Sequence, residues 1–215
     1  MAIAEDIMEQ GSPLDIGHLY NVARRVLNIQ RKELYDIIKF LLGNHYLVEG
    51  TKFTRETVLA HPYRSKIMAS VARHGSMHFS AIKDAITSSE LSDTGSSGQL
   101  IWHLGLLLKF KHLKRIKYSN KTLFCKPYLS KMHAIINFLL QDETIQAIIS
   151  HVLENGSSDK SEIHNFLDHN RDTVYYRVNK LLKDKYLIED KSKNNHVKIN
   201  PDYIAIFKEV LIGEA

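Results

Sequence analysis

One pattern in these 215 residues recurs three times, and it limits the fold more than any other feature. IQRKELYDIIKFLLGNHYLVEG, from Ile29, lies over HNRDTVYYRVNKLLKDKYLIED, from His169, at a constant offset of 140 residues. Arg31 then matches Arg171, Tyr35 matches Tyr175, Leu41-Leu42 matches Leu181-Leu182, and Tyr46-Leu47 matches Tyr186-Leu187. A third copy, SGQLIWHLGLLLKFKHLKRI, falls into register 74 residues before the last. A repeat of this kind decides the architecture before single elements are assigned.

Each copy carries an apolar stripe at i, i+4, i+7 and i+8, positions that share one face of a helix with 3.6 residues per turn. The stripes are Leu34, Ile38, Leu41 and Leu42; Leu100, Leu104, Leu107 and Leu108; and Val174, Val178, Leu181 and Leu182. After each comes a short polar turn and an apolar segment (Tyr46 to Val48, Leu113 to Ile116, Tyr186 to Ile188), then a polar loop and a second strand-like run such as TLFC or HVKI. A helix followed by a small β-hairpin is a wing. Upstream of each striped helix the sequence predicts another short helix and a turn; in the last copy this is a Ser-capped helix from about Asp159 to Leu167 and a turn at Asp168 to Asn170. Two helices joined by so short a turn are a helix-turn-helix. The middle copy instead inserts TSSELSDTGSSG, a polar stretch expected to be mobile. The expected fold is therefore mostly α with small β-hairpin wings, in three tandem winged-helix modules. Their expected limits are 1–60, 61–128, and 129–215, the last including a connector helix at about Leu129 to Leu140. PDYIAIFKEVLIGEA adds a final helix.

Charge separates these modules. Residues 61–128 hold 11 basic and three acidic side chains, whereas 1–60 hold seven and eight, and 129–215 hold 11 and 13. Within the middle module, residues 109–126 carry seven Lys or Arg and no acid. An uneven basic surface favours an acidic partner, and duplex DNA is the natural one for a helix-turn-helix.

Other function classes find no support. There is no Gly-rich phosphate loop, GxSxG, HExxH or calcium loop, so no enzyme is advertised and no cofactor is implied. Twelve histidines are scattered without ligand spacing, and the single Cys125 is expected to be a small buried hydrophobe. Asp142-Glu143 reads as a helix cap. No apolar run reaches the ~20 residues that span a bilayer, and MAIAEDIMEQ has acids where a secretory signal has bases, so a cytoplasmic location is expected.

LAHPYRSKIM, with Pro62, Arg64 and Ile67, and GQLIWHLGLLLKFKHLKRI, with Trp102, His103 and Leu104, resemble the opening helix and the recognition helix with first wing strand of archaeal and bacterial ArsR/MarR-type winged-helix regulators. His112 stands where that group prefers glycine. Residues 142–200 resemble a second such module. The resemblance implies a DNA-binding transcriptional regulator. The same fold also builds protein-interaction adaptors such as ESCRT-II subunits, and that alternative stays open.

A winged helix that reads DNA turns the outer face of its second helix to the major groove and its wing to the phosphates. In the last module that face offers Arg171, Thr173, Tyr176, Asn179, Lys180 and Lys183, and the wing offers Lys191, Lys193 and Lys198. The middle hairpin adds Lys114, Arg115, Lys117 and Lys121. The outer face of the middle helix is mostly apolar, with Trp102 and Leu106, and that of the first is polar with one exposed aromatic, Phe40; these three suit a protein partner or a homodimer.

Overall fold

The computed structural model describes residues 1–87, 96–167 and 169–213. Residues 88–95 of the expected insertion and Asp168 of the expected turn lie outside them. The described chain forms two compact units, Met1–Arg73 with Met77–Tyr128, and His74–Ser76 with Leu129–Ala215.

The first unit begins with α1 (Ala2–Glu9), α2 (Ile16–Val26) and α3 (Arg31–Gly43), followed by a lone antiparallel bridge between Leu47 and Thr54 and a 3-10 turn, Thr57–Ala60. It continues through α4 (Pro62–His74), β1 (Ser76–His78), α5 (Phe79–Thr87), α6 (Ser97–Lys109), β2 (Lys114–Tyr118) and β3 (Lys121–Cys125). The second unit holds α7 (Lys131–Leu140), α8 (Glu143–Asn155), β4 (Ser158–Asp159), α9 (Lys160–Phe166), α10 (Arg171–Lys183), β5 (Leu187–Glu189), β6 (His196–Ile199) and α11 (Pro201–Gly213). The two sheets have three strands each, in the orders β1-β3-β2 and β4-β6-β5. A mostly helical chain with two such sheets is compatible with a winged-helix-like fold.

The stripes face inward as their spacing requires. Leu34 and Ile38, Leu100, Leu104 and Leu107, and Val174, Val178 and Leu181 are all buried. The fourth position, Leu42, Leu108 or Leu182, is half-buried in every copy. The helix ends repeat too. Each striped helix is followed by a residue in the left-handed region: His45 (φ 57°), Lys111 (φ 55°) and Lys185 (φ 62°). One residue later the backbone N–H of Tyr46, His112 or Tyr186 donates to the carbonyl of Leu41, Leu107 or Leu181, a Schellman-type closure at the same place three times. The position whose φ favours glycine is therefore Lys111, one residue before His112. His112 keeps a side chain that it uses, since its Nε2 lies 2.7 Å from the carbonyl of Arg55.

Caps fix the other helix starts. Ser96 and Gln99 close a capping box on α6, and Asn170 accepts from the N–H of Asp172 at the start of α10. Asp142 caps α8 and also pairs with Arg177 at 2.7 Å, which ties α10 to α8. The expected serine cap of α9 is replaced by Asp159, whose carboxylate accepts from Ser161 N–H at 2.6 Å while Glu162 accepts from Asp159 N–H at 2.9 Å. Ser158 sits one residue too early to cap and belongs to β4. Cys125 is fully buried, which pushes its thiol pKa up.

Gly75 follows α4 with φ 66°, and a Cβ there would run into the amide end of the Asn137 side chain. Gly75→Ala is expected to lower stability by about 1–3 kcal/mol in chemical denaturation, because left-handed strain and a steric clash add. An unchanged denaturation midpoint would contradict this geometry.

Candidate nucleic-acid interface

In the second unit, α10 is held at its N-terminus by the Asn170 cap and along its inner face by Val174, Val178 and Leu181. That anchoring leaves Arg171, Thr173, Tyr176, Asn179 and Lys183 exposed on the outside, with Lys180 half-buried beside them. The guanidinium of Arg171 lies over the Tyr175 ring, 5.1 Å from its centroid. Arg177, on the same helix, stacks on Tyr176 at 5.4 Å while pairing with Asp142. Its charge is thereby spent internally.

The wing is a pairing of β5 with β6, Leu187 opposite Ile199 and Glu189 opposite Val197. Its loop is ordered by Asp190, whose carboxylate accepts from the hydroxyl and N–H of Ser192 and pairs with Lys198 at 3.3 Å. Those hydrogen bonds, led by the Ser192 hydroxyl, hold the Asp190 pKa down to about 2. Lys198 is thus a brace of the wing, whereas Lys191 and Lys193 project from the loop into solvent. A cleft of about 860 Å³ joins helix and wing, with Lys160, Arg171, Tyr175, Lys191, Lys193 and His196 among its walls.

Lys160 was not singled out in the sequence, because it lies upstream of α10. It donates to Oδ1 of Asn179 at 3.0 Å, so that oxygen is already engaged by the protein. The only signal was its place as the first residue of α9.

The middle hairpin divides its cations. Register places Arg115 opposite Phe124 and Lys117 opposite Thr122, and Lys114 opposite Cys125 with Tyr118 opposite Lys121. Because side chains alternate, Arg115 and Lys117 share one face, while Lys114 lies on the other with Ile116 between it and the Tyr118–Lys121 pair. The four therefore do not form one cationic stripe.

The outer face of α6 is also different from the expectation. Leu106 is buried, in a cluster with Val58 and Phe110 against which Val48, Phe53 and Leu59 pack. The face expected to meet another protein is covered by residues 48–59 of the same chain, because an apolar helix face next to an apolar strand-turn segment is buried by the nearest one. Trp102 remains half-exposed, its indole 4.8 Å from the His103 ring. Phe40 is exposed and stacks on Tyr46 at 6.2 Å.

Beneath Trp102 lies an arginine without a carboxylate partner among the described residues. Arg64 is 2% exposed; its Nε donates to the carbonyl of Val58, and its guanidinium lies 4.9 Å from Phe53 and 5.9 Å from Trp102. Nη1 is 3.4 Å from Nδ1 of His103, and since arginine has only donors, the histidine must accept there. Burial, with His61 and Arg64 nearby, lowers the His103 pKa to about 4, so this ring is neutral at pH 7.

Among the described residues no three His, Cys, Asp or Glu side chains gather as a metal site, and no helix is long and apolar enough to cross a membrane. Comparison with known proteins gives little beyond this geometry. No family model matches the chain, and no curated protein matches it. A chain in a solved structure titled "Nse1-Nse3-Nse4 complex" is similar at 16% identity, over 67% of this chain and 71% of that one, with a TM-score of 0.25. A likeness at that level transfers neither architecture nor activity.

Proposed function

We propose that this chain is a duplex-DNA-binding protein of three tandem winged-helix modules, acting in the cytoplasm as a transcriptional regulator. The last module presents α10 to the major groove and its wing to the phosphates. Arg115 and Lys117 of the middle hairpin add a second backbone contact. No catalytic step and no cofactor enter this reading.

One observation supports it above the others. Arg171, Lys180, Lys183, Lys191 and Lys193 occur on one helix face and its adjoining wing, and none of them is in an ion pair among the described residues. Two further cations of this segment are in ion pairs, Arg177 with Asp142 and Lys198 with Asp190. Cations left unpaired beside exposed Tyr176 and Asn179 suit phosphate contact flanking base-edge contact.

The test is fluorescence anisotropy of a labelled duplex of about 30 base pairs titrated with the full chain. With about five phosphate contacts from the last module alone, affinity is expected to fall at least several hundred-fold between about 50 and about 200 mM salt. Negligible binding at the lower salt would remove the proposal.

A further inference from the structure

The first unit carries a groove that DNA binding does not use. It runs between α2 and α3, has a volume of about 800 Å³, and is walled by Ile16, Tyr20, Tyr35, Ile38 and Leu42 with Lys39 at its edge. Tyr35, on its wall, is 60% exposed. Large apolar side chains concentrated on one surface mark an interaction site more often than scattered ones do.

The charge around the groove is one-sided. Helical periodicity extends the wall from Tyr20 and Asn21 to Arg24 and Arg25 on α2, and from Tyr35 back to Arg31 and Lys32 on α3. Because a four-residue turn joins the two helices, these four cations collect at one end of the groove, and none is in an ion pair among the described residues. Glu33 and Asp36 are the only acids in residues 16–43.

We propose that this groove binds an amphipathic helix of a partner protein, with its apolar stripe seated on Tyr20, Tyr35 and Leu42 and acidic residues over Arg24, Arg25, Arg31 and Lys32. A helix in a groove presents apolar anchors at i, i+3 or i+4, and i+7, which matches an elongated apolar trough between two helices. A second copy of the same surface does not fit, because residues 16–43 carry five Lys or Arg against two acids, so a net positive surface would meet its like. Duplex DNA satisfies the cations but offers nothing to the apolar wall, whose tyrosines and leucine would stay in water.

The full chain, immobilised, is screened against a phage-displayed library of helix-forming peptides. Peptides bound by the groove are expected to carry apolar residues at helical spacing and an excess of Asp and Glu toward one end. A selected peptide, titrated in solution, is expected to bind at least ten-fold more weakly to Tyr35→Ala, Lys39→Glu and Arg31→Glu. All three changes lie at exposed positions, and an unchanged circular-dichroism spectrum identifies the loss as one of contact. The proposal is overturned if no helical peptide is enriched, if the enriched peptides are basic, if the variants bind as the wild type does, or if duplex DNA at equal concentration displaces the peptide. Loss of DNA binding in the anisotropy experiment leaves this result untouched, because the two surfaces share no residue.

Discussion

Replacing Arg171, Lys180, Lys183, Lys191 and Lys193 together by glutamine is expected to weaken duplex binding by roughly a thousand-fold at about 100 mM salt, and to make the slope of log affinity against log salt shallower by roughly four to five. Each lost phosphate contact releases one fewer condensed cation, so slope and affinity must fall together. The replaced side chains are exposed or half-buried and none holds an internal ion pair among the described residues, so the thermal midpoint should stay within a few degrees. Lys198→Gln is the informative contrast. Its ammonium is committed to Asp190, and its loss should loosen the wing with only a few-fold change in affinity. A quintuple variant that keeps the wild-type slope would show that the interface lies elsewhere.

The second large effect is on stability in acid. His103 is buried beside Arg64, and its pKa is about 4, below the ordinary value of 6.5. Between these two values the unfolded chain binds a proton that the native chain does not. The contribution of this neutral ring is therefore complete above about pH 6.5 and is lost as the pH falls toward about 4. Linkage puts the loss on the order of 3 kcal/mol for a difference of this size. Urea denaturation at a series of pH values should show it, and His103→Gln should flatten the curve in that window while lowering stability at pH 7. Equal pH dependence of wild type and variant would mean that the ring titrates normally.

Much of the fold was legible because its signals were local and periodic. The twelve stripe positions named the inner faces of three helices, and eight of them are buried with the other four, Leu41, Leu42, Leu108 and Leu182, half-buried. TLFC and HVKI lie in β3 and β6, and Asp142 caps α8. What the sequence could not show was where distant segments meet. Leu106 read as an outward apolar residue, and only packing reveals that Val58 and Phe110 bury it. Arg64 matched a family position, yet its lodging between Phe53 and Trp102 depends on three segments brought together by tertiary structure.

The candidate interface was legible to a smaller degree. Periodicity gave the exposed face of α10, and composition gave the basic hairpins. Neither could distinguish a committed cation from an unpaired one, since that depends on partners such as Asp190 for Lys198 and Asp142 for Arg177. Strand register likewise separated Arg115 and Lys117 from Lys114, a division that a count of lysines conceals.

Position 176 gives the most direct measurement of the central claim, because Tyr176 is exposed at the middle of the outer face of α10. With p-benzoylphenylalanine in place of Tyr176, irradiation of the full chain on duplex DNA is expected to yield a covalent adduct that maps to bases in the major groove and disappears at high salt. An adduct confined to protein, or none at a protein concentration that saturates the duplex, would contradict the placement of α10 in the groove.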